Sequence, residues 1–439
     1  MNRFDILTKA IFEDKNNIYI SGSGGVGKSY LMRQLFDEAV KRGINCVLTS
    51  TTGISSMNIG GCTIHSWSGI VLPTKLPTNP EDYISKVVTR IKFKRYLYKR
   101  WNNLRILFLD EISLLGADYL DVLDCVARRI RGINLPLGGI QIVAGGDFCQ
   151  LPAINSAFCF ESPTWDEISF KNYILTKAYR FDSQEWSDIL QRARIGKLNN
   201  KDIDTLKKCI NKKNESDILP TVIYALRKDV DDINEISLDN LEGEPIEYVA
   251  EDILGQEDNY SENIKLIRHC SEEQSKVLDS QLNCKRNLKL KEGAQVMLIC
   301  NLDISMGLCN GSRGVVVKLK DDCVTVKFKG KEHEFLEEIK PYDFKIEHQN
   351  ELLVRRIIPL ILGYSSTVHK LQGSSIDSGL ISINDSIFLP AMAYVALSRV
   401  RSLDGLYLEQ LKIDKIVPNK IALKFDEELR KKGIKVDEV

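Results

Sequence analysis

The stretch NIYISGSGGVGKSY, residues 17–30, passes from an apolar run through a glycine-rich turn to a Lys-Ser pair. Ile18 to Ser21 reads as a short buried strand, and a helix starts at the Lys-Ser end. Gly22, Gly27, Lys28 and Ser29 satisfy the spacing G-x-x-x-x-G-K-[ST]. In such a loop the backbone N–H groups of residues like Ser23, Gly24, Gly25 and Val26 wrap phosphates. Lys28 would reach the β- and γ-phosphates of ATP, and Ser29 would ligate Mg²⁺. Strand, phosphate loop and helix in this order predict an α/β fold.

Working outward, RILFLDEIS supplies a second strand that ends in Asp110-Glu111. Asp110 would hold Mg²⁺ through water, and Glu111 would polarise the attacking water. A third strand, in GIQIVAGGDFCQLP, ends near Asp147 and Gln150. Gln150 suits a γ-phosphate sensor, because an amide orients a phosphate without adding charge. Thr51 to Ile70 is polar and rich in Gly, Ser and Thr, as ligand-bearing loops at strand ends often are. Residues 86–100, KVVTRIKFKRYLYKR, carry seven Lys or Arg and no acid, with Phe93, Tyr96 and Tyr98 interleaved. Basic residues among aromatics suit single-stranded nucleic acid, so Lys92, Lys94 and Arg95 are candidate DNA contacts. A solvated amphipathic helix is the alternative.

Composition narrows the class. The 439 residues are 43% hydrophobic and 27% charged, as in ordinary globular proteins. No apolar run approaches the ~20 residues of a membrane span. Eleven cysteines without a C-x-x-C pair give no spacing for a zinc site and read as reduced thiols of an intracellular protein. Sixty basic and sixty acidic residues cancel, so nucleic-acid binding must come from local patches.

Seven further stretches occur in one order along the chain. They are GCTIHSWSGI, the run from Asp110 to Pro152, AFCFESPTW, LTKAYR, GAQVMLICNLDISMGLCNGSRGVVV, TVHKLQG and AYVALSRVRSLDGL. Together they resemble the PIF-type DNA helicases of superfamily one, in the RecD-like branch, across residues 16–410. The resemblance implies two RecA-like domains with ATP between them. It implies a small basic wedge in the first (about 68–103) and an SH3-like β insertion in the second (about 313–355). The first domain is expected at 1–177 and the second at 178–312 and 356–439. The implied activity is ATP-dependent unwinding of forked or structured DNA while moving 5′ to 3′ on a single strand. The family's roles in replication, repair, recombination and telomere maintenance would place it in a nucleus or at a viral replication site. A monomer or DNA-induced oligomer is expected. In the family the arginines matching Arg180 and Arg399 reach across to the γ-phosphate. Three positions depart from the pattern. The first Gln is Gln34, beyond the phosphate loop, where the family has an adenine-reading Gln upstream. Ala153 stands for a proline, and Phe181 for a polar residue.

TVHKLQG follows an apolar strand, which places it at a ligand-bearing sheet edge. Gln372 and Gly373 could face nucleotide while Thr367 and His369 face DNA. Thr63 and His65 repeat the T-x-H pattern in the first half. Two of five histidines fall in it, one per expected domain.

Overall fold

The computed structural model describes residues 2–437 except 71–79, 154–155, 225–229, 258–263, 283, 304–305, 330–332, 349–350, 369–370 and 372. The chain forms two compact units. One runs to Arg180 and resumes at Asn419; the other is Phe181–Pro418.

The first unit is built on seven parallel strands. They include β1 (Ile18–Ser21), β2 (Cys46–Ser50), β3 (Cys62–Thr63), β4 (Ile106–Asp110), β5 (Gln141–Gly146) and β6 (Lys171–Ile174). With Ile434–Lys435 outside β6, the order across the sheet is 434–435, β6, β1, β5, β4, β2, β3. Alternate residues of a strand face opposite sides. Ile18, Ile20, Ile106, Phe108 and Val143 pack on one face with Leu7 of α1 (Arg3–Thr8) and with Leu31 and Leu35 of α2 (Lys28–Lys41). Tyr19, Leu107, Leu109, Ile142 and Ala144 pack on the other. That face is covered by α5 (Pro80–Phe93), α6 (Arg95–Asn103) and α7 (Ala117–Arg131), through Val87, Trp101, Leu120 and Leu123. Two short helices, α3 (Gly53–Ile59) and α4 (Ile64–Ser68), fill the polar loop after β2. A sheet covered on both faces explains why its strands read as continuous apolar runs.

The expected boundaries need correction at both ends of the second domain. Residues 178–180 belong to the first unit, because β6 runs beside β1 and delivers them onto the phosphate loop. Residues from Asn419 also return to it. The helix Lys420–Lys432 buries Ala422 and Leu429 there. Its Phe425 ring stacks on Phe160 at 3.9 Å and meets Phe148 edge-on at 5.3 Å.

The second unit holds a four-stranded parallel sheet in the order 365–367, 221–224, 379–383, 406–411. The helix Met392–Leu397 is buried at all six positions. The apolar runs QVMLI and IPLILGY lie in a five-stranded antiparallel sheet. There Gln295–Leu298 sits between Arg313–Leu319 and Leu360–Leu362. A second antiparallel sheet joins Ile264–His269, Glu251–Glu257, Glu351–Ile357 and Tyr342–His348. The antiparallel part is therefore wider than 313–355, and the polar stretch 243–292 contributes strands and a helix to the unit. Antiparallel neighbours need only short turns, so a sequence this polar can still form them.

Candidate nucleotide and nucleic-acid site

The phosphate loop starts where β1 ends. A Cβ at Gly22 would lie 2.7 Å from the carbonyl oxygen of Leu175, the residue after β6, so no side chain fits there. Gly27 has φ +85° and forms the N-cap of α2. That left-handed turn is cheap only for glycine, and it aims the helix's first N–H groups at the loop. Lys28 is buried. Its ammonium donates to the Gly22 carbonyl at 2.8 Å and to the Ser23 carbonyl at 3.0 Å.

β1, β5 and β4 are adjacent and parallel, so their carboxyl ends share one edge. That alone brings Lys28, Asp147 and the Asp110–Glu111 pair together from distant parts of the sequence. Burial lowers the Lys28 pKa; Asp147, Glu111 and Asp110 oppose this, while Arg180 adds to it. Burial raises the Asp110 pKa, against a hydrogen bond from Ser29, the Glu111 amide at 3.0 Å and the Lys28 charge. Asp110 Oδ2 is buried without a hydrogen-bond partner. A divalent cation held by Ser29, and by Asp110 through water, would give that oxygen a partner and favour the ionised carboxylate. Mg²⁺ characteristically takes one or two protein ligands and completes its shell with phosphates and water. The donor set fits it.

Glu111 sits at φ +51°, ψ +40°, a left-handed conformation that costs a non-glycine residue roughly 1–3 kcal/mol. Strand β4 fixes the backbone before it, and the short helix Ile112–Leu114 fixes it after. Gln150 is buried, and its side-chain amide donates to Asp147 at 3.3 Å.

LTKAYR lies on the loop. The amides of Tyr179 and Arg180 both donate to the Gly25 carbonyl, at 2.9 and 3.2 Å. Arg180 thus approaches the phosphate loop from within the same unit, which corrects the expectation that it arrives from the second domain. Arg3 donates to the Val26 carbonyl at 3.4 Å, and its guanidinium lies 4.8 Å from the Tyr179 ring. Sequence reasoning gave no role to Arg3, Tyr179 or Asp147. Arg3 and Tyr179 lie outside the loop's pattern, and only Asp147, at a strand end, carried a signal.

In the second unit, Arg399 is 1% exposed. Its guanidinium donates to the carbonyls of Leu371 at 3.4 Å and Ser374 at 3.3 Å, and to the Ser398 hydroxyl at 2.7 Å. It therefore braces the turn that contains Gly373, which has φ +85°. Thr367 ends a strand and is buried. His369 and Gln372 lie outside the described residues.

Among the other expected DNA contacts, the Thr63 hydroxyl caps α4 by accepting from the Ser66 amide at 3.2 Å. The His65 ring lies 4.5 Å from Tyr119. Lys92 and Arg95 are exposed and Lys94 is half-buried, at the junction of α5 and α6. Beside them Phe93 is 91% exposed. The apolar faces of both helices (Val87, Val88, Ile91, Leu97, Trp101) are buried. The stretch is an amphipathic pair of helices that leaves its basic side open.

A parallel sheet with a phosphate loop, and with two acidic strand ends beside its lysine, is the nucleotide-binding fold of the P-loop, RecA-like class. The family model described as PIF1-like helicase matches residues 3–204, and the one described as DNA helicase Pif1, 2B domain, matches residues 275–319. The chain is similar to the PIF1-like helicases over both of these stretches. It is 32% identical over 422 residues to the ATP-dependent DNA helicase PIF1 of Xenopus laevis, covering 94% of this chain and 62% of that protein. The chain thus spans about three-fifths of that relative's length. Among solved structures it resembles Bacteroides sp Pif1 in complex with ADP-AlF4, with a TM-score of 0.80, 26% identity, and 99% and 97% of the two chains covered. It also resembles the Bacteroides Pif1 helicase in complex with ADP-AlF3 and single-stranded DNA, with a TM-score of 0.64, 26% identity, and 99% and 98% covered. No described helix is long and apolar enough to cross a membrane.

Proposed function

We propose that this protein is an ATP-dependent DNA helicase that moves 5′ to 3′ along single-stranded DNA and unwinds forked or structured duplexes. The observation that carries this reading is Lys28 of the phosphate loop, facing Asp147, Glu111 and Asp110, in a chain similar to the PIF1-like helicases. The loop from Gly22 to Ser29 binds the phosphates of ATP, with Gln372 and Gly373 as further nucleotide contacts. Ser29 and Asp110 hold Mg²⁺. Lys28, Glu111, Gln150, Arg180 and Arg399 are the catalytic residues. Glu111 polarises water, and the cations stabilise charge on the phosphoryl oxygens. Thr63, His65, Lys92, Lys94, Arg95, Thr367 and His369 form the DNA contacts. Solved relatives carry an ATP-like nucleotide complex and single-stranded DNA, which supports the pairing of the two ligands. A motor on DNA would work in a nucleus or at a viral replication site, as a monomer or a DNA-induced oligomer.

Steady-state ATP hydrolysis, measured with and without oligo-dT, tests the reading. DNA that orders the site should stimulate turnover strongly. Equal rates with and without DNA would count against a motor.

A further inference from the structure

The segment 434–437 takes no part in the roles assigned above, yet it ends at the nucleotide loop. Ile434 and Lys435 pair in parallel with Tyr173 and Ile174 of β6. The Val436 amide donates to the Ile174 carbonyl at 3.2 Å, and its side chain is buried. The pairing carries Asp437 just past the carboxyl end of β6, on the edge of the sheet where β1 gives way to the phosphate loop.

The Asp437 side chain is 6% exposed. Its Oδ2 accepts from the amides of Thr176 at 2.7 Å and Lys177 at 2.9 Å. Its Oδ1 lies 3.9 Å from Arg3 Nη1. Both amides open the segment Leu175–Arg180, which is stitched to the loop on its other side. There the Leu175 amide donates to the Ser21 carbonyl at 2.8 Å, and the Tyr179 and Arg180 amides donate to Gly25. Arg3 in turn touches Val26 and Tyr179. One carboxylate therefore holds two chain segments that both lie against the phosphate loop, and one of them carries Arg180.

We propose that Asp437 is a positioning residue of the nucleotide site, fixing Leu175–Arg180 and Arg3 against the phosphate loop. The proposal rests on the ATPase reading above. A carboxylate suits the task because its two oxygens can serve several donors at once, and its hydrogen bonds are stronger than those of a neutral acceptor. If 434–437 merely closed the sheet edge, the pairing of Ile434 and Lys435 and the burial of Val436 would suffice. The two amides and Arg3 would then need no shared acceptor.

The test uses the full chain with Asp437→Ala and Asp437→Asn. The readouts are KM and kcat for ATP at saturating oligo-dT, the affinity for a fluorescent ADP, and Tm without nucleotide. Asp437→Ala should weaken fluorescent ADP about tenfold and raise the KM for ATP, with little change in Tm or in nucleotide-free DNA binding. Asp437→Asn keeps a carbonyl acceptor in the same shape and should recover most of the ADP affinity. It also keeps the test open if the alanine variant folds poorly. Combined with Arg3→Ala, the effect of Asp437→Ala on ADP affinity should be less than additive, because the two groups act on one segment pair. Unchanged KM, kcat and ADP affinity in active protein would overturn the proposal and leave the ATPase reading standing. So would losses that follow Tm and are not recovered by Asp437→Asn. Wild-type protein that neither hydrolyses ATP nor binds ADP would sink both.

Discussion

The Lys28 ammonium donates to the carbonyl oxygen of Gly22 at 2.8 Å, so the phosphate loop's own backbone holds the charge that phosphates would otherwise meet. The loop is thereby organised around a buried cation whose pKa burial has lowered. Lys28→Ala should fold, at a cost of about 1–3 kcal/mol for the carbonyls left unpaired. It should also lose the thermal stabilisation that Mg-ADP gives the wild type, which is ~2.7 kcal/mol at a hundredfold excess over Kd. Calorimetric melts with and without Mg-ADP measure both effects; an intact nucleotide shift in the variant contradicts the assignment.

Glu111 combines a role with a strained backbone. Glu111→Gln should bind nucleotide normally but hydrolyse ATP about 10² to 10⁴ times more slowly, because the group that accepts a proton from water is gone. Glu111→Gly should be as inactive but more stable than Glu111→Gln by about 1 kcal/mol, since glycine tolerates φ +51° without strain. Single-turnover hydrolysis and denaturant midpoints separate the two effects. A glycine variant less stable than the glutamine variant would show that the conformation is not the cost.

The basic corner of α5 and α6 predicts a salt signature. Replacing Lys92, Lys94 and Arg95 with Ala should lower the slope of log affinity against log salt by about two for single-stranded DNA. Tm should stay within a few degrees, since the apolar faces beneath are untouched. Titrations at three or more salt concentrations read the slope. An unchanged slope returns these helices to a solvated surface.

Thr63 serves local structure as well as its proposed DNA contact, because its hydroxyl caps α4. Thr63→Ala should lose about 1 kcal/mol of stability, and it should need more DNA for half-maximal ATPase. Thr63→Asn can keep the cap through its side-chain carbonyl while removing the hydroxyl. If Thr63→Asn restores stability but not DNA affinity, the hydroxyl itself meets DNA. Full recovery of both would make Thr63 a cap alone.

The phosphate loop, both acidic strand ends and the basic stretch were legible in the sequence because each is a local pattern. A turn needs glycine at fixed offsets, a buried strand needs consecutive apolar residues, and an open helix face needs charge at helical spacing. The antiparallel strands of 243–292 were not legible, since polar strands on half-exposed sheets carry little apolar periodicity. Neither was the pairing of Gln295–Leu298 with 313–319 and 360–362, because QVML reads the same in parallel and antiparallel sheets.

By itself, the sequence determined the α/β class, the nucleotide loop with Lys28 and Ser29, and the family resemblance, all of which reside in contiguous residues. Only the tertiary structure decided that Arg180 belongs with that loop, that the chain returns at Asn419, and that Asp437 reaches Thr176, Lys177 and Arg3. The reason is physical. Strand order across a sheet, here 434–435 beside β6 and β6 beside β1, follows from which apolar faces and backbone donors remain uncovered once the elements pack, and spacing along the chain carries no record of that choice.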